Sequence, residues 1–349
     1  MRSTTAYQAA APGTGLEPVT IQRRDLRPDD VAVRITHCGV CHTDLHAVRA
    51  EGADAFPVVP GHEFVGEVTA VGSDVSAFAA GDPVAVGNIV DSCGECAMCL
   101  AGQENFCASF PTLTYGGVDR VDGSRTMGGY AGEYVVRDRF VYHRPAGLDP
   151  AAVAPLLCAG ITVWEPLRRW QVGEGSRVGV VGLGGLGHLA VKLARALGAQ
   201  VTVFTTSPGK AEDARALGAH DVVLSTDAEA MAAVADSLDL VIDTVSADHD
   251  LTPYLATVAL DGTLCTLGHI VGTISVETMA LLIGRKSLTS AGSGGRPATQ
   301  ELLDFCGEHG ITADVEVLSS RDVATALDRL ARNDVRYRFV LDLADIAEA

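Results

Sequence analysis

The chain has 349 residues, 47% of them hydrophobic, and a formal net charge of −18 with just three lysines, Lys192, Lys210 and Lys286. That length favours two domains, and the apolar content excludes a disordered chain. A surface this acidic repels phosphate backbones and anionic lipid, which argues against nucleic acid or a membrane as partner, and no run of about 18 uncharged apolar residues offers a membrane span.

Residues 1–15 contain no apolar core of a secretory signal, so a cytoplasmic protein is expected. The nine cysteines, an odd number crowded at short spacing, read as metal ligands in a reducing compartment rather than as a disulfide framework.

Up to residue 150 the chain is rich in valine, glycine and turn residues. Segments 31–35, 64–68 and 83–86 look like short strands, which predicts an all-β or barrel-like first domain. The texture then changes. Residues 177–181 make a compact apolar strand. Leu186, Leu189, Ala190, Leu193, Ala194 and Leu197 recur at intervals of three and four, an amphipathic helix over 185–197 that Gly198 stops. A strand at 201–204, a helix over 211–217 and strands at 221–224, 240–243 and 263–267 follow. Strand and helix in alternation predict a parallel, doubly wound α/β sheet. The tail over 299–343 carries two more helices and a last strand at 338–341.

Gly182, Leu183, Gly184, Gly185, Leu186 and Gly187 fit the pattern G-x-G-x-x-G. The letters alone are weak, since a glycine turn without a ligand shares them. Here they leave a strand and open a helix, where glycines allow a tight turn and the helix start offers free N–H groups to a pyrophosphate. An acid after the second strand would hold a ribose diol and favour NAD, but Thr205, Thr206, Ser207, Pro208, Gly209 and Lys210 stand there. Hydroxyls and a rare lysine suit a 2′-phosphate, which points to NADP(H). Ser207 followed by Pro208 is also an ordinary N-cap, and both readings hold together because a capped helix start is itself an anion site.

Cys93, Cys96, Cys99 and Cys107 lie within fifteen residues and are placed to wrap one tetrahedral zinc with no open position. An iron–sulfur cluster is the competing reading. A second, scattered set is Cys41, His62 and Cys158. Three such ligands leave a zinc one vacant position at which it acts as a Lewis acid on a carbonyl oxygen. Taken singly, His62 is equally a satisfied polar residue and Cys158 a core cysteine. Cys38, Cys265 and Cys306 are left for packing.

Together these residues resemble the zinc-dependent medium-chain alcohol dehydrogenases, most closely the cinnamyl-alcohol-dehydrogenase-like branch of NADP-dependent aldehyde reductases. The likeness covers nearly the whole chain. It rests on CGVCHTD at 38–44, PGHE at 60–63, the four-cysteine lobe, GGY at 128–130, LCAGIT at 157–162, GLGGLGH at 182–188, DTVS at 243–246 and DVRYRFV at 334–340. It implies a GroES-like β-barrel catalytic domain over 1–152 with a structural-zinc lobe at 93–107, a Rossmann NADP-binding domain over 153–295, and a segment, 296–349, that returns to the catalytic domain.

The resemblance also implies two zinc ions per subunit, a homodimer, and an aldehyde or primary alcohol as substrate. Cys41, His62 and Cys158 would hold the catalytic zinc, with Glu63 behind it as a transient ligand and Asp44 orienting a ligand. Thr43 would bond the reacting oxygen and pass its proton through the nicotinamide ribose to His46. Thr205, Thr206, Ser207 and Lys210 would meet the 2′-phosphate, and Thr162 and Thr244 would line the cofactor. Ser290 and Ala291 replace the branch's usual Gly-Ser, Ala131 replaces a serine, and Trp164 and Glu165 replace a tyrosine and a serine, so aromatic preference stays open.

The rivals are a non-catalytic NADPH-binding protein, a zinc-free quinone reductase and an NAD-dependent polyol or secondary-alcohol dehydrogenase. The quinone reductase would lack the four-cysteine lobe. The polyol enzyme would want an acid after the second Rossmann strand.

Overall fold

The computed structural model describes residues 1–268 and 273–346 and separates into two units, Met1–Cys158 with Gly294–Ala349, and Ala159–Ser293.

In the first unit the valine-rich segments pair into a mostly antiparallel sheet. Its spine is Asp30–Val40, where Val31, Ala32, Val33 and Ile35 are buried and Arg34 faces solvent. One edge of this strand pairs with Phe64–Val71. The other edge changes partner along its length, from Glu133–Arg137 to Arg338–Asp342, as happens at the corner of a barrel. Pro83–Val86 and Tyr142–His143 extend the sheet beyond Phe64–Val71. Beta-branched and aromatic side chains suit such a pleated, half-buried surface. Phe64, Tyr130, Phe140 and Phe339 are completely buried in the core it encloses.

Some strands escaped the sequence. The hairpin-like pair Arg2–Gln8 with Glu17–Arg23 and the edge strand Val315–Ser319 are mostly half-buried or exposed and lack a well-buried apolar face. The two tail helices are Arg296–His309 and Val323–Ala331.

The second unit carries a six-stranded parallel sheet in the order Asp221–Leu224, Gln200–Thr205, Arg177–Val181, Leu238–Asp243, Val258–Thr266 and Ser287–Ser290. The chain reverses its direction of winding between Arg177–Val181 and Leu238–Asp243, the switch point of a doubly wound sheet and the place where such folds bind ligands. The helix Gly187–Ala196 buries Leu189, Ala190, Leu193 and Ala194, and Gly198 ends it with φ +95°. It starts two residues later than the periodicity suggests, which leaves Gly184 to Leu186 as loop. The helix Ala159–Arg169, which buries Ile161, Val163, Trp164 and Leu167, had no counterpart in the sequence reading.

Ser207 does not cap a helix with its side chain. Pro208–Lys210 is a tight 3₁₀ turn, the α-helix Ala211–Ala216 begins after it, and the Ser207 N–H donates back to Thr205 Oγ1 at 3.1 Å. Cys38, Cys265 and Cys306 are buried with no exposed surface. No single helix among the described residues is long and apolar enough to cross a membrane.

Candidate metal and nucleotide sites

Cys41 follows the spine strand and occupies the N-cap of the helix His42–Val48. Cys158 follows the 3₁₀ turn Ala154–Leu157. His62 comes from the turn after Pro60, where Gly61 has φ +96°. These three side chains, scattered in sequence, converge in the first unit with their ligand atoms within 4.8 Å of one another. Cys41 Sγ lies 3.8 Å from Cys158 Sγ, and His62 Nε2 lies 3.2 Å from Cys158 Sγ.

Thiolate ligands about 2.3 Å from a tetrahedral zinc sit about 3.8 Å apart, so the sulfur spacing fits that ion. The ring nitrogen facing the sulfurs is the one left over. His62 Nδ1 lies 2.9 Å from Asp44 Oδ1, an orienting bond typical of imidazole ligands.

Asp44 is a hub. Its Oδ1 also accepts from the Gly61 N–H at 2.9 Å, and its Oδ2 accepts from the Cys41 N–H at 3.0 Å and the Tyr130 hydroxyl at 3.1 Å. Thr43 is exposed on the first helical turn, with its hydroxyl 3.7 Å from Cys41 Sγ, and His46 is exposed one turn further on. Glu63 is completely buried against Gly39 and paired with Arg338, itself almost fully buried. Burial pushes the Glu63 carboxyl up to about 7, even against the opposing pull of Arg338.

Arg338 and the Tyr130 hydroxyl had no assigned role in the sequence reading. An arginine opening an otherwise apolar last strand was the one available signal for the first. Tyr115 packs edge-on against His62 at a centroid distance of 5.8 Å.

Cys93, Cys96, Cys99 and Cys107 form a second set, also with sulfurs within 4.8 Å of one another, and Cys93 and Cys99 are 3.8 Å apart. Backbone N–H groups of Cys96, Cys93 and Ala108 point at the sulfurs of Cys93, Cys107 and Cys96, each at 3.4 Å. The Ala108 N–H leads in lowering the Cys96 thiol to about 6, which favours the thiolate that a metal needs. Four sulfurs this close suit a single ion. A multi-iron cluster, which has several atoms between its cysteines, needs them farther apart, so zinc is the reading that survives.

In the second unit Gly182 turns with φ +87°. A Cβ on Gly187 would stand 2.1 Å from the Gly182 carbonyl oxygen, so only glycine fits between loop and helix. A Cβ on Gly184 would meet nothing within 4 Å, which leaves its backbone open to a ligand. Leu183 is buried beneath the loop, and Leu186 leads into the helix. Thr244 caps the loop from the next strand, its hydroxyl donating to the Val181 carbonyl at 2.7 Å.

Lys210 Nζ donates to the Leu183 carbonyl at 3.2 Å, so one of the three lysines reaches back over the glycine loop. Thr205 is buried, whereas Thr206 and Ser207 are exposed beside it. Thr162 is held elsewhere, by the Ser293 N–H at 3.3 Å. Asp243, Asp248, His249 and Thr273 border an open cavity of about 380 Å³ at the end of the strand Leu238–Asp243.

A doubly wound nucleotide-binding unit in one chain with a β-barrel unit that carries a closed four-thiolate set and an open Cys2His set defines the class of zinc-binding dehydrogenases. Residues 27–146 match the alcohol dehydrogenase GroES-like domain family and residues 185–308 the zinc-binding dehydrogenase family. The chain is 48% identical to the aldehyde reductase YahK of Escherichia coli over 98% of both chains. It is 47% identical to the NADP-dependent alcohol dehydrogenase C 1 of Mycolicibacterium smegmatis over 99% of both. The cinnamyl alcohol dehydrogenase SbCAD4 of Sorghum bicolor superposes with a TM-score of 0.94 at 44% identity, covering 98% of each chain. The protein belongs to the zinc-dependent medium-chain alcohol dehydrogenases, in the branch that includes the cinnamyl alcohol dehydrogenases.

Proposed function

We propose that this protein is an NADP-dependent alcohol dehydrogenase that interconverts an aldehyde and a primary alcohol. The observation that carries the reading is the three-ligand set of Cys41, His62 and Cys158, oriented by Asp44, in a chain that also has the glycine loop. A nucleotide-binding protein without this chemistry has no physical use for an incomplete ligand set. The Mycolicibacterium relative is named for NADP, and the absence of an acid after the second Rossmann strand speaks against an NAD-dependent polyol enzyme.

Cys41, His62 and Cys158 would hold the catalytic zinc, and Cys93, Cys96, Cys99 and Cys107 the structural one. When bound, the catalytic zinc supplies Lewis acidity at a carbonyl oxygen and NADPH supplies the hydride. Asp44 keeps the His62 proton on Nδ1, so that Nε2 stays a lone-pair donor. Thr43 Oγ1 would donate a proton to the product oxygen, and His46, exposed one turn further on, would exchange with solvent to restore it. Glu63, held by Arg338, is a reserve carboxylate for the metal. Gly182 to Gly187 and Thr244 would receive the pyrophosphate side of the cofactor and Lys210 with Thr206 and Ser207 the 2′-phosphate, while Thr162 and the buried Thr205 are assigned to the cofactor by the family resemblance alone.

The division into a GroES-like catalytic domain, a Rossmann domain and a returning C-terminal segment belongs to the same proposal, as does the cytoplasm as compartment, which suits nine unpaired thiols. A homodimer formed through the sheet edge Ser287–Ser290 is supported by exposed Met279, Leu282 and Ile283 in the segment leading to it. Sedimentation at twice the chain mass is the expected result.

The decisive test is Cys158→Ala. Zinc content should fall from two equivalents to one, and reduction of a panel of aliphatic and aromatic aldehydes by NADPH should vanish. Normal turnover in that variant would refute the assignment.

A further inference from the structure

We propose that Tyr130 is a positioning residue for the catalytic metal set, its phenol fixing the plane of the Asp44 carboxylate so that Oδ1 stays on His62. The inference rests on the reading of Cys41, His62 and Cys158 as zinc ligands.

A carboxylate offers about four lone-pair directions. Asp44 fills four, with the Gly61 N–H and His62 Nδ1 on Oδ1 and the Cys41 N–H and Tyr130 hydroxyl on Oδ2. Asp44 itself is completely buried, so each missing donor would leave charge without solvent to replace it. Since a carboxylate can only accept, the phenol is the donor.

The four donors are not equivalent. The N–H of Cys41 belongs to a ligand, His62 is a ligand, and Gly61 precedes one. These three move with the groups they would have to steady. The phenol alone comes from outside the ligand segments.

Its own anchorage reaches beyond them. Tyr130 has no exposed surface, and its carbonyl accepts from the Tyr7 N–H of the first strand at 2.9 Å. Its N–H donates to the Pro60 carbonyl at 2.9 Å, one residue before the turn that delivers His62. The space for the ring is made by a missing side chain, since a Cβ on Gly61 would lie 2.6 Å from Tyr130 Cδ1. The ring is therefore packed against the ligand turn, and among the described residues its hydroxyl is the hydrogen-bond donor that Asp44 takes from outside the ligand segments.

Groups that orient a ligand in this way typically change metal affinity by about 10- to 100-fold. Tyr130→Phe keeps the ring and removes the bond. In this variant a chelator should strip one of the two zinc equivalents about ten times faster than in the wild type. The zinc of the four-cysteine lobe should leave at its usual rate, which reports that the fold is intact. With cobalt in the catalytic set, the visible bands should shift and broaden.

Tyr134→Phe is the matched control. Its hydroxyl is buried in the same core but donates to the Thr114 carbonyl at 2.7 Å and does not bond to Asp44, so metal release should not change. Tyr130→Met, which fills similar volume, replaces the phenylalanine variant if that does not accumulate. Wild-type release and an unchanged cobalt spectrum in the Tyr130 variant would overturn the proposal. So would equal acceleration by Tyr134→Phe, since that would mean general loosening. If Cys158→Ala still holds two zinc ions, the underlying site assignment has failed rather than this inference.

Discussion

Replacing Lys210 by alanine separates the two nicotinamide cofactors. The Lys210 ammonium is exposed, yet its bond to the Leu183 carbonyl keeps it over the glycine loop. A 2′-phosphate carries close to two negative charges. At about 4 Å, in water-like surroundings, one cation facing it gains roughly 2 kcal/mol, a factor of about 30; physiological salt reduces this to about 1 kcal/mol, or about five-fold. Lys210→Ala should therefore raise the KM for NADPH by about five- to thirty-fold, most at low ionic strength, and move that for NADH less than about two-fold. Lys210→Arg should keep most of the preference. Steady-state reduction of one aldehyde with each cofactor, at two salt concentrations, reads both effects. Equal losses with NADPH and NADH would show that Lys210 supports the loop and does not select the phosphate.

Two further outcomes are expected. Gly187→Ala drives a methyl group to 2.1 Å from the Gly182 carbonyl, so the loop must open and NADPH should bind at least ten-fold more weakly while both zinc ions stay, as read by fluorescence titration and metal analysis (order of magnitude, ~1.4 kcal/mol). Burial works against ionised Asp119, but two bonds from Arg27, each 2.9 Å, and the N–H groups of Val121 and Asp122 override it and hold the carboxyl down at about 2. A depressed folded-state value means stability that is present above the ordinary carboxyl range and lost as pH falls from about 4 towards 2. After allowance for solvent screening, Asp119→Asn should cost about 1 kcal/mol near neutrality. In urea unfolding the gap to the wild type should close below pH 4 and stay constant above it; a gap independent of pH would contradict the ion-pair account.

The parts of this protein that were legible in its sequence are those whose physics is local. Four cysteines in fifteen residues can meet around one ion without help from the rest of the chain, and a glycine loop between strand and helix is built from neighbours. The set of Cys41, His62 and Cys158 is different. Nothing in the spacing brings those residues together; their types suit a three-ligand zinc site, and the resemblance to a family is what gives that grouping its weight. The helix periodicity from Leu186 to Leu197 located its helix because one face is buried, whereas Val315–Ser319 lies at a sheet edge and leaves no such stripe. Ser207 does stand at the N-cap with Pro208 next, as its sequence suggests, but it opens a 3₁₀ turn and its side chain makes no capping bond. The bond from Tyr130 to Asp44 spans 86 residues, and a tyrosine after two glycines carries no sign of it.

The ion pair of Glu63 with Arg338 has a consequence for biosynthesis. Every cysteine and histidine of both metal sets has been synthesised once residue 158 is made, but the barrel still lacks Val315–Ser319 and Arg338–Asp342. Until those last strands arrive, Glu63 has no counter-charge, and the open ligand set stands over an unneutralised carboxylate. The strand that ends beside Cys41 also lacks its partner until then, since Val40 pairs with Phe339 and Cys38 with Leu341. A chain that ends before residue 338 should therefore bind zinc at the four-cysteine lobe and hold it poorly, if at all, at Cys41, His62 and Cys158, as metal analysis of such a truncation would read.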